Sequence, residues 1–113
     1  MTRKHSKIPP VHPGEILREE FMKPLGLTAY RVAKDTGLLP PRINDLVNER
    51  RSMTPDTARR LGVYFRTGAE FWMNIQTRYM LDVARDQLEE TELESEISPL
   101  PTEPDSGALT RQN

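Results

Sequence analysis

A chain of 113 residues, 35% hydrophobic and 29% charged, has room for one small domain with a modest core and a tail. It holds no cysteine, which excludes a disulfide framework and a thiolate zinc site, and its two histidines, His5 and His12, have no companions to form a metal site, so neither metal nor cofactor is expected. No apolar run approaches a membrane span and the polar N-terminus lacks a signal peptide's hydrophobic segment, so the expected address is the cytoplasm and no membrane partner is expected.

The net charge of −1 hides an asymmetry. Residues 1–66 carry 13 Lys and Arg against 7 Asp and Glu, a balance of +6, whereas residues 67–113 carry 3 against 10, a balance of −7. A basic half that meets phosphate and an acidic half with another task is the simplest account.

Residues 1–11 hold Arg3, Lys4, His5 and Lys7 and then Ile8-Pro9-Pro10, which reads as a flexible basic arm, either touching DNA or merely solvated. A first helix is expected from near Pro13 to about Met22, ending before Lys23-Pro24. Its stripe of Ile16, Leu17 and Phe21, with Met22 as a further candidate, is core, while Glu15, Glu19 and Glu20 favour its N-terminal half through the helix dipole.

Leu27 to Arg51 reads as two short helices joined by a tight turn. Thr28 is a helix cap, Gly37 a helix stop, and Pro40-Pro41 the opening of the next helix, where a missing N–H is no loss. Ile43, Leu46 and Val47 recur at helical spacing and leave Arg42, Asn44 and Asp45 on the outer face, with Asp45 facing solvent or pairing Arg42. Two helices joined through glycine in so few residues make a helix-turn-helix, a reader of duplex DNA.

Thr54-Pro55-Asp56 marks the start of a fourth helix lined by Ala58, Leu61, Gly62 and Phe65 and stopping near Thr67. Thr67 and Glu70 have capping-box spacing for a long fifth helix from Gly68 to Glu90. Phe71, Trp72, Ile75, Tyr79, Met80, Val83 and Leu88 follow at helical intervals, more apolar surface than one small domain covers by itself. Trp72, Ile75, Tyr79, Met80 and Val83 are therefore the expected homodimer interface, the other reading being a docking surface for a different protein. From Thr91 the chain turns acidic and rich in proline (Pro99, Pro101, Pro104), a flexible tail that either engages a basic partner, discourages non-specific DNA binding, or only solvates.

Several motifs carry a family resemblance: His12-Pro13-Gly14-Glu15-Ile16-Leu17, Leu25-Gly26-Leu27-Thr28, Arg42-Ile43, Leu46-Val47-Asn48, Met53-Thr54-Pro55-Asp56-Thr57-Ala58-Arg59-Arg60-Leu61 and Phe71-Trp72-Met73-Asn74-Ile75-Gln76. In order and spacing over residues 12–80, the chain resembles antitoxins of the HigA type, a branch of the Cro/repressor-like (XRE) helix-turn-helix regulators. One departure is visible: Asn48-Glu49 stands where the family commonly has Asn-Gly, and Asn48 is expected to take up the left-handed conformation itself.

The resemblance implies an all-α, five-helix Cro/lambda-repressor-like domain over residues 12–90, with a basic arm at 1–11 and an acidic tail at 91–113. The second helix of the motif would enter the major groove of double-stranded operator DNA, placing Pro40, Pro41, Arg42 and Asn44 at base edges, although Arg42 has phosphate as its other candidate partner. Thr28, Arg31, Asn48, Arg50 and Arg51 are the expected phosphate contacts. The implied function is neutralisation of a HigB/RelE-like mRNA endonuclease toxin and repression of the chain's own operon, with a stand-alone repressor as the alternative. No paired carboxylates in a plausible pocket, no Ser/His/Asp set and no phosphate-cradling glycine loop point to an enzyme.

Overall fold

A computed structural model describes residues 8–102 as six helices, with no strand among them. Arg3, Lys4, His5 and Lys7 of the expected arm, and the tail from residue 103 on, Pro104 included, lie outside the described residues.

Helix α1 covers residues 13–25 in three continuous windings, α-helical over Pro13–Ile16, π-helical over Leu17–Met22 and α-helical again over Lys23–Leu25. His12 caps it, its Nδ1 accepting the Gly14 N–H at 2.8 Å. The expected stop before Lys23-Pro24 is not observed. Proline collides with the carbonyl four residues back in a regular α-helix, and the wider π winding just before Pro24, where the Lys23 N–H bonds back to the Arg18 carbonyl, relieves that clash. The helix instead ends at Gly26, whose φ of 64° lets the Leu27 N–H reach the Met22 carbonyl at 2.9 Å.

Helices α2 (Ala29–Thr36) and α3 (Pro40–Val47) follow the expected signals closely. The Thr28 hydroxyl accepts the Arg31 N–H at 3.0 Å, and Gly37 closes α2 with φ 79°. Both prolines of Pro40-Pro41 lie in the first turn of α3. Helix α4 (Pro55–Tyr64) is capped by Thr54, which accepts the Thr57 N–H at 3.3 Å. It stops three residues earlier than expected, with Arg66 left-handed at φ 62°.

Helix α5 (Ala69–Gln87) is the longest element, but it does not begin with the expected Thr67–Glu70 box. Gly68 occupies the cap position with φ 84°, and the Thr67 hydroxyl donates to the Gly68 carbonyl at 3.0 Å instead. Nor does α5 continue to Glu90: Leu88 is extended, and a sixth helix, α6 (Glu90–Glu96), starts at Glu89 with its own capping box to Glu92. Part of the stretch read as tail is thus helical, although no α6 residue is buried.

The core joins all of α1 to α5. Leu17, Val32, Ile43, Leu46, Leu61 and Trp72 are each at most 1% exposed, and each fully buried side chain of this size stabilises the fold by about 1.5–3 kcal/mol. Trp72 is packed by Phe71 and Phe21, at ring separations of 5.0 and 5.2 Å. Gln76 is buried but satisfied, its Oε1 accepting the Met53 N–H at 2.7 Å and tying α5 to the loop before α4. Trp72 has no surface to offer a second chain. That removes it from the expected homodimer interface: helical period marks an apolar face without saying which chain covers it.

His12 joins three parts of the molecule. It caps α1, its ring meets Tyr79 of α5 edge-on at 4.8 Å, and it engages the Arg51 backbone in the loop after α3. Burial holds its pKa below the ordinary 6.5, against the raising effects of Glu49 and the Arg51 backbone. The unfolded chain then binds the proton more readily than the folded one, so this contribution is full above about pH 6.5 and is lost as pH falls through the depressed folded value. Urea melts between pH 7.5 and 5.5 should show declining stability, and His12→Asn should flatten that decline; an unchanged slope would exclude His12 as its source.

Candidate nucleic-acid interface

The outer face of α3 is set by its inner one. Ile43, Leu46 and Val47 are buried against the core, which leaves Pro41 and Asn44 exposed and Pro40, Arg42 and Asp45 half-exposed. At the C-terminal end of α3, Gly14 of α1 approaches so closely that a Cβ there would lie 1.8 Å from the Leu46 carbonyl oxygen. Helix α3 is therefore seated against the backbone of α1, with no side chain between them at that point.

Charge on this surface is largely committed to local partners. Arg31 pairs with Asp35 at 2.6 Å, and Asp35 also accepts the Tyr64 hydroxyl at 2.7 Å, the two together holding its carboxyl below the ordinary range. Arg50 and Arg51 both turn back to Asp45, at 3.2 and 3.8 Å. Of the two readings of Asp45, facing solvent or pairing Arg42, the pairing with Arg42 is not observed, because the loop after α3 returns two other cations to that carboxylate. Arg42 forms no ion pair with any described residue. Thr28 is engaged as a cap, and the Asn48 amide donates to the Asn44 carbonyl at 2.8 Å. All five expected phosphate contacts are nonetheless exposed. No group of metal-ligating side chains occurs among the described residues.

The loop after α3 keeps its turn by a different residue from the one expected. Asn48 is right-handed (φ −93°), and Glu49 takes the left-handed position at φ 62°. That conformation lets the Glu49 and Arg50 N–H groups close on the Leu46 and Asp45 carbonyls at 2.9 and 2.8 Å. A non-glycine residue is strained there by about 1–2 kcal/mol. Glu49→Gly should raise stability by about 0.5–1 kcal/mol after the unfolded-state entropy of glycine is subtracted. A lower melting temperature for the variant would show that the Glu49 side-chain contacts outweigh the strain.

The same order of helices and caps recurs in known proteins. Virulence-associated protein I of Dichelobacter nodosus is 45% identical over 98 residues, which cover 87% of this chain and 88% of the relative. Antitoxin HigA-1 of Vibrio cholerae is 31% identical over 87 residues, covering 77% of this chain and 82% of the antitoxin. The structure of Pseudomonas aeruginosa antitoxin HigA with the higBA promoter superposes with a TM-score of 0.74 at 42% identity, covering 81% of this chain and 99% of that one. The chain belongs to the HigA family of antitoxins. No family model matches it. Within this HigA-type chain, α2 and α3 form the helix-turn-helix, and α1, α4 and α5 are the frame that holds it.

Proposed function

We propose that this chain is an antitoxin that represses its own operon by binding the promoter and neutralises an mRNA endonuclease toxin of the HigB kind. The observation that carries the DNA half is the outer face of α3, where exposed Asn44 and half-exposed Arg42, which forms no ion pair with any described residue, stand above a fully packed inner face. Arginine reads guanine and asparagine reads adenine by paired hydrogen bonds in the major groove. Pro40 and Pro41 offer no side-chain donors and read shape or thymine methyl groups. Thr28, Arg31, Asn48, Arg50 and Arg51 contact phosphate and fix the register. The structure of a Pseudomonas aeruginosa relative of the same fold, the antitoxin HigA with the higBA promoter, supports this reading.

Ile75, Tyr79, Met80 and Val83 of α5, with Leu81 beside them, form the dimer contact that brings two reading helices to paired half-sites; Met80 and Leu81 are 51% and 46% exposed. The protein acts by binding rather than catalysis, in the cytoplasm where promoter and mRNA are found. No described helix is long and apolar enough to cross a membrane. Two measurements test the proposal: a gel shift on the DNA upstream of the gene, and co-purification with the product of the adjacent reading frame. Preference for the upstream DNA together with a stoichiometric basic partner is the expected result. Equal affinity for random duplex would overturn the DNA half, and DNA preference without a partner would leave a stand-alone repressor.

A further inference from the structure

Arg18 lies on α1, outside the helix-turn-helix, yet its side chain ends at the point where the chain leaves α3. Its Nη1 group donates to the carbonyl of Val47, the last residue of α3, and its Nη2 lies 3.5 Å from the Glu49 carboxylate. The Nε group is bound to Glu19 at 2.8 Å, so the fork of the guanidinium is fixed from behind. Carbonyls in the last turn of a helix lack intrahelical partners, and Val47 is supplied with one from another element. Glu49 is the strained left-handed residue of this loop, and the next two residues, Arg50 and Arg51, are the cations that fold back on Asp45.

We propose that Arg18 is a positioning residue for DNA reading: by joining Val47 to Glu49 it sets the exit of α3 and hence the direction in which Arg50 and Arg51 leave it. All three of its guanidinium nitrogens are engaged, by Glu19, Val47 and Glu49, whereas Arg50 and Arg51 each reach Asp45 through one, so Arg18 is the less suited to take a phosphate. The inference rests on the DNA-binding reading above, but the loop geometry it concerns is measurable without DNA.

Arg18→Met keeps the length and packing of the side chain and removes the fork. Together with Glu49→Gly and the double variant, it should be titrated with upstream DNA over a range of salt, while amide exchange of Glu49 and Arg50 is followed in the free protein. The expected result for Arg18→Met is about tenfold weaker operator binding with an unchanged salt slope, and faster exchange at both amides. In the Glu49→Gly background the loop no longer needs to be held against strain, so the same substitution should cost about threefold or less. A salt slope reduced by about one would make Arg18 a phosphate contact and overturn the proposal. Equal losses in both backgrounds, or unchanged amide exchange, would overturn it as well. Should Arg18→Met not fold, Arg18→Leu, which likewise has no donor for Val47 or Glu49, carries the same comparison. If the wild type shows no operator preference, the DNA reading fails, and amide exchange alone decides whether Arg18 holds the loop.

Discussion

Gly14→Ala is expected to destabilise the protein by about 3 kcal/mol, at the upper end of what overpacking a core costs. The added methyl would sit 1.8 Å from the Leu46 carbonyl oxygen and 2.8 Å from its carbon, and both are backbone atoms of α3 that no rotamer change can move. Relief requires α1 and α3 to separate, which opens the core around Leu17, Ile43 and Leu46. Against a typical total of 5–15 kcal/mol for a domain, such a loss is severe but leaves a folded population to assay. Urea unfolding gives the stability, and titration with upstream DNA at low temperature gives the second effect: the displaced reading helix should bind operator more weakly even where the protein is folded. Wild-type stability in the variant would mean that the two helices are not held this close in solution.

Arg42→Ala is expected to weaken binding to the operator by about ten- to a hundredfold, corresponding to roughly 1–3 kcal/mol for a bidentate base contact, with a smaller effect on random duplex. Because Arg42 has no ionic partner among the described residues, its removal strands no carboxylate, and the loss reads directly on the DNA contact. Arg51→Ala is the control. Its pair with Asp45 is exposed and contributes little to stability, so the expected change is a uniform loss on all sequences and a salt slope lower by about one. Binding measured against the logarithm of salt concentration separates them, and matching effects on operator and random duplex would assign Arg42 to phosphate instead.

The parts of this fold that sequence discloses are those where one residue type has one local use. Thr28, Gly37, Pro40-Pro41 and Thr54-Pro55 each mark a helix end through their own hydrogen-bonding or φ restrictions, and the structure places the helix-turn-helix accordingly. The features that escaped have no such single-residue signal. The π turn that admits Pro24 has no signature in composition. A glutamate at φ 62° is invisible when glycine is the cue for a left-handed turn. Thr67 and Glu70 have capping-box spacing, but Gly68 turns the chain away before the box can close. At the candidate site, periodicity placed Arg42 and Asn44 outward, while the partners of Asp45 follow from how the loop returns, which no spacing rule contains. His12 was legible only as part of a motif. The signal for its role was the pattern His12-Pro13-Gly14, a side-chain acceptor two residues before a free N–H, with glycine allowing close approach of α3.

Trp72 is the single tryptophan of the chain, and it is sealed among aromatic rings contributed by α1 and α5. The protein therefore carries its own optical gauge of the frame. Indole emission tracks whether α1 and α5 remain clasped, and stays silent about events confined to the reading surface or to α6. Loss of DNA affinity at constant fluorescence then marks a damaged contact, and loss of both marks a broken scaffold.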